Sequence, residues 1–194
     1  MSRNNVKAIA NTLKTQILIL GGFVAIMWIV QILNLFLFRN SLLIYGVLPR
    51  NPNTLRGILF MPFLHGGFPH LIANTVPFLT LGWFVMLREI RDFWVVTAVT
   101  MVVSGLGVWV FGSPGWHIGA SGLVFGYLGY LISRGFFERN LPSILLSIIV
   151  GILYGGIIIG VLPIQAGVSW EGHLFGLIGG GIAAWWLSRR SSLS

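Results

Sequence analysis

A chain of 194 residues with 56% hydrophobic and only 8% charged residues cannot clothe a water-soluble surface, where about a quarter of residues are charged, and its mean hydropathy of +0.89 points to an integral membrane protein of one domain, or two small ones. The formal charge of +8 would suit nucleic acid, but the basic residues fall in small groups between apolar runs and not along one soluble face, which argues against that partner. With no cysteine, disulfides, thiolate metal sites and a cysteine nucleophile are excluded; the only lysines, Lys7 and Lys14, precede the first apolar run, so a serine–lysine dyad inside the membrane is excluded too.

A transmembrane helix needs roughly 20 mostly apolar residues. Six stretches meet or approach this in chain order: 16–38, 70–87, 93–112, 119–133, 143–162 and 169–188. The first lacks a small-residue cleavage site and reads as a retained helix. The expected organisation is a short cytoplasmic tail at 1–15, an all-α six-helix membrane domain at 16–188 and a cytoplasmic tail at 189–194. Arg39, Arg50 and Arg56 lie on one side; Arg3, Lys7, Lys14, Arg88, Arg91, Arg134, Arg139, Arg189 and Arg190 lie on the other. The excess of basic residues marks the cytoplasmic side and places both termini there. The long first loop, from "LPRNPNTLRG" to "ILFMPFLHGGF", is rich in turn formers and then aromatics, and reads as a functional segment lying partly in the interface.

Polar residues inside a bilayer are costly and mark function. Four stand near the outer ends of the even-numbered segments: His70 and Asn74, Ser121, and His173. His70 and Asn74 are four apart and share a helix face. Each has a plain structural alternative. A serine bonds its own backbone, a lone interfacial histidine is packed or hydrated, and an asparagine joins helices. Their convergence at one depth favours chemistry. His173 can take the proton of Ser121, and the Asn74 amide, the His70 imidazole and backbone N–H groups near Ser121 suit an oxyanion. Glu171, two residues before His173, faces elsewhere on a helix at 100° per residue, so the spacing suggests a dyad. Gly122, Gly126 and Gly129, with Gly172, Gly176 and Gly180, form small-residue stripes that let helices approach closely. The stretch 119–133 gives about 22 Å of helix, short of a core of about 30 Å, so Ser121 is expected in a recessed, wettable cavity.

"HGGFPHLIANTVPF", "GASG" and "EGHLFGLIGG" together resemble the motifs of the rhomboid family of intramembrane serine proteases, in the family's order and across about 55–187. The resemblance implies a six-helix rhomboid core, with Ser121 as nucleophile, His173 as base, and His70, Asn74 and the Ser121 backbone as oxyanion donors. It implies that Phe125 stacks on the imidazole, and that Gly119, Gly122, Gly172 and Gly176 support the site. His65 matches a histidine the family often carries and reads as structural. Two departures stand out. Leucine precedes Arg56 where many bacterial members have tryptophan, and the second helix lacks their glycine-flanked glutamate, with Glu89 placed nearer the cytoplasmic end. The implied activity is serine endopeptidase cleavage of single-span membrane proteins near the outer face, in a bacterial plasma membrane. Membrane lipids are then the surroundings, and no metal or organic cofactor is called for. An inactive rhomboid-like adaptor or chaperone that binds membrane helices is the main alternative. A transporter would place polar groups near the midplane of the third and fifth segments, where there are few.

Overall fold

The structure, a computed structural model, describes residues 3–165 and 167–191; residues 1–2 and 192–194 of the expected tails lie outside the described residues. These hold seven α-helices: α1 (Arg3–Phe36), α2 (Gly57–Phe60), α3 (Phe68–Met86), α4 (Ile90–Phe111), α5 (Ser121–Glu138), α6 (Leu141–Tyr154) and α7 (Trp170–Ser191). The fold is all-α, as the long apolar stretches predict, and the chain is an integral membrane protein. Among the described residues, four stretches are long and apolar enough to cross a bilayer: Asn4–Phe36, Phe68–Met86, Ile90–Phe111 and Leu141–Val161.

Local sequence explains the boundaries. No proline interrupts α1, so it starts well ahead of the expected 16 and takes up most of the presumed tail. Pro69 sits in the first turn of α3, where its missing N–H costs nothing. Asn140 caps α6 by accepting from the Ser143 N–H at 3.0 Å. Beyond Tyr154 the fifth apolar segment tightens into a 3-10 helix, Gly155–Val161. α5 opens at Ser121 and runs to Glu138, so its 18 residues give about 27 Å, longer than the stretch 119–133 alone gives but still short of a core of about 30 Å.

α5 and α7 form the centre. Their mutual contact is the most extensive between helices, α7 also packs along α4, and most of α5 is buried, with Leu123 to Leu131 buried without a break. They fall outside the four apolar stretches for a physical reason: helices enclosed by others need glycine for close approach more than they need lipophilic side chains. A Cβ on Gly176 would collide with the Gly122 carbonyl, and one on Gly180 with that of Gly126. Gly172 faces elsewhere, toward Ser169 and Val108, and its carbonyl accepts from the Ser104 hydroxyl at 2.9 Å. An apolar cluster including Phe78, Phe93 and Tyr127 fills the space between α3, α4 and α5, with Tyr127 5.6 Å from each of the other two rings.

At the end rich in basic residues, Arg88 pairs with Glu138 at 2.6 Å and Arg134 with Glu138 at 2.9 Å, while the Tyr130 hydroxyl donates to Asp92 at 3.1 Å. Glu138 also accepts from Ser143 and from Asn140. One carboxylate thereby joins the α3–α4 turn, the end of α5 and the start of α6.

Candidate active site

The turn into α5 explains the glycine two residues before the serine. Gly119 has φ +113°, and a Cβ there would lie 2.7 Å from Cε1 and Nε2 of His70 and 3.5 Å from Nδ2 of Asn74. Only glycine lets this backbone rest against the two polar side chains of α3. The Gly119 N–H donates to the Met61 carbonyl at 2.8 Å and the Ala120 N–H to Nε2 of His65 at 3.4 Å. His65 is fully buried. Burial, with His70 close by, drives its pKa down to about 3, so it is neutral and serves as an acceptor. Ser121 then begins the helix, where the first N–H groups lack intrahelical partners.

His70 and Asn74 stand one turn apart on α3. The His65 and His70 rings meet edge to face with centroids 5.0 Å apart. Asn74 is buried, and its Nδ2 has no hydrogen-bond partner among the described residues. Most buried polar groups are paired, so an orphaned donor at a cavity calls for an explanation.

His173 is held on two sides. Its Nδ1 lies 2.8 Å from the carbonyl oxygen of Gly160. A carbonyl can only accept, so Nδ1 carries the proton and, in the neutral ring, Nε2 keeps its lone pair. The ring stacks on Phe125 with centroids 4.2 Å apart and planes 6° from parallel. Gly160 touches both: a Cβ there would meet Cζ of Phe125 at 2.9 Å and Nδ1 of His173 at 3.1 Å. Nothing in the sequence marked Gly160, because a backbone carbonyl has no residue signature and this one lies in an apolar run.

Ser121, His70, Asn74, Phe125, Gly160 and His173 all line one cavity of about 1020 Å³. Ser121 and His173 make no direct hydrogen bond here; catalytic contacts are often long without substrate. No group of three or more His, Asp or Glu residues that could hold a metal ion occurs among the described residues.

Four further polar residues on the same cavity wall escaped the sequence reading as a group: Ser113, His117, Ser169 and Glu171. Glu171 makes no hydrogen bond to His173. It accepts from the Ser113 N–H at 2.7 Å and the Ser113 hydroxyl at 2.5 Å. The 200° separation from His173 was readable; the partner, 58 residues away, was not.

Family comparison agrees with the motifs. The Rhomboid domain model matches residues 52–190. Uncharacterized proteins of Mycobacterium tuberculosis, Mycobacterium bovis and Mycobacterium leprae are each 39% identical over 175 residues, covering 86% of this chain. That stretch is 72% of the M. tuberculosis and M. bovis proteins and 69% of the M. leprae protein. With its helical membrane fold and the match across most of its length, the chain belongs to the rhomboid family.

Proposed function

We propose that this protein is an intramembrane serine endopeptidase, built on a six-helix core in which α5 and α7 are the fourth and sixth spans in chain order and join the four apolar ones. The observation that carries the reading is the state of His173. Its Nδ1 is committed to the Gly160 carbonyl and its ring is fixed on Phe125, in the cavity that Ser121 also lines. A histidine prepared in this tautomer is a base with one open nitrogen.

Ser121 Oγ attacks the scissile carbonyl carbon while Nε2 of His173 takes its proton. The oxyanion accepts from the Asn74 amide, His70 and the Ser121 N–H. The intermediate collapses as His173 returns the proton to the departing amine, and water then releases the acyl group by the same route. The substrate is a single-span membrane protein opened near its outer helix end, where weakened helical hydrogen bonding frees a peptide bond. Both termini lie in the cytoplasm of a bacterial cell and the cavity opens outward.

A second reading, an adaptor that binds membrane helices without cutting them, is favoured by the missing Ser121–His173 hydrogen bond. One assay separates the two. The purified chain in liposomes with a single-span substrate is expected to yield two fragments, and Ser121→Ala and His173→Ala none, with melting temperatures unchanged. Parent-level cleavage by Ser121→Ala would remove Ser121 as nucleophile; substrate binding without cleavage by the parent would favour the adaptor.

A further inference from the structure

His117 is unusually well tied. Its backbone N–H donates to the Val47 carbonyl at 2.8 Å and its carbonyl accepts from the Val47 N–H at 3.1 Å, a single antiparallel bridge to the first loop. Its Nε2 lies 2.9 Å from the Ser113 carbonyl, which can only accept, so Nε2 is protonated. In the neutral ring Nδ1 is then the acceptor for the Ser169 hydroxyl, 2.5 Å away. Ser169 in turn stands at the start of α7: its Oγ accepts from the Gly172 N–H at 3.3 Å and its carbonyl from the His173 N–H at 3.2 Å. A second strand runs beside the first, from Ser113 to Glu171.

We infer that His117 and Ser169, with Ser113 and Glu171, form a clasp that sets the position of α7 against the α4–α5 loop, making His117 a positioning residue for the Ser121–His173 pair. The inference rests on the proposed dyad. His117 is four residues before Ser121, and Ser169 is four before His173, so each end of the clasp lies beside one member of the pair. Both links cross between the two segments that must stay in register. Although the Ser169–His117 contact has the form of a dyad itself, the Gly172 N–H that reaches Ser169 is spent on its hydroxyl oxygen, where it cannot serve an oxyanion. Misplacing reacting groups by about 1 Å costs on the order of a hundredfold in rate. Loss of the clasp therefore acts on kcat, whereas KM, set by the substrate helix, stays near the parent value.

The test uses His117→Phe, Ser169→Ala, their combination and Ser169→Thr in the purified full chain, reading kcat, KM and melting temperature. His117→Phe keeps a ring and leaves the α7 cap; it should lower kcat by about tenfold to a hundredfold at little-changed KM and melting temperature. Ser169→Ala should lower kcat likewise, and Ser169→Thr, which keeps a hydroxyl, should restore it even if His117→Phe fails to fold. The combined variant should be no worse than the more severe single change, because both cut the same link. Parent-like kcat in both single variants, losses that multiply in the combination, or a loss that Ser169→Thr does not rescue would overturn the clasp. Ser121→Ala, run alongside, keeps the outcomes apart: if it is inactive while His117→Phe is fully active, only the clasp fails.

Discussion

Gly160 shows what a residue with no side chain does for a neighbouring one. Its carbonyl sets the proton of His173 and its bare Cα leaves room for Phe125. Gly160→Ala places a methyl 2.9 Å from the Phe125 ring edge, closer than carbon atoms rest, so the Phe125–His173 stack must shift. Cleavage is expected to fall by tenfold or more while melting stays within a few degrees, since the glycine lies in a 3-10 segment with no fully buried residue; kinetics and a thermal melt on one preparation check both. Asn74→Ala tests the other side of the cavity. It removes a buried donor that has no protein partner among the described residues, so the folded state loses little, while loss of an oxyanion donor costs on the order of a hundredfold to a thousandfold in kcat. Asn74, His70, Ser121 and His173 were legible because each is a polar residue in an apolar run. The partners that orient them were not: Gly160 acts through its backbone, and His117 and Glu171 through residues tens of positions away. Sequence spacing reports which residues share a helix face, and it says nothing of which carbonyl lies across a gap.

Among elements, the α5–α7 seam was the most readable, because glycine every fourth residue has few uses in a membrane helix other than close approach. The structure brings Gly176 against the Gly122 carbonyl and Gly180 against that of Gly126, yet turns Gly172 toward Ser169 and Val108. A helix stripe drifts relative to a four-residue repeat, so the Cα of Gly172 turns from the seam while its carbonyl still borders Gly122. Gly176→Leu inserts four carbons where two backbones touch. Overpacking typically costs roughly 1–3 kcal/mol, so this variant should melt lower and lose cleavage together, whereas Ser121→Ala should lose cleavage alone. At the opposite end of α5, Glu138 links three elements. Burial alone would raise its carboxyl, but hydrogen bonds from Ser143 and Arg134 and the Arg134 charge outweigh this and hold it below the ordinary value. A depressed carboxylate stabilises the fold above its unfolded value, about 4.5, and that stabilisation disappears as pH falls through the lower folded value. The parent should therefore lose more stability than Glu138→Gln on acidification from about pH 5 downward; parallel melting curves would contradict this.

At the scale of the whole molecule, the two ends differ in charge and in chemistry. Arg88, Arg134 and Glu138 are joined at one end of the bundle, and the cavity with Ser121 and His173 opens at the other. If the basic residues set orientation, the cavity faces away from the cytoplasm. The chain offers a direct test because it contains no cysteine, so an introduced one is the sole thiol. Asn53 and Gln165 are exposed near the cavity end, and Asn11 is exposed on the N-terminal part of α1. In intact cells a membrane-impermeant maleimide should label Asn53→Cys and Gln165→Cys and leave Asn11→Cys untouched until the membrane is opened. The reverse pattern would turn the protein over and put the site on the cytoplasmic side. Equal labelling at all three positions would mean mixed orientation, despite nine basic residues against three. Shifting that balance is the sharper check. Adding arginines beside Asn53, in a loop short enough to follow the charge rule, should raise the fraction of chains in which Asn11→Cys is labelled from outside, in step with a fall in cleavage of an externally exposed substrate site.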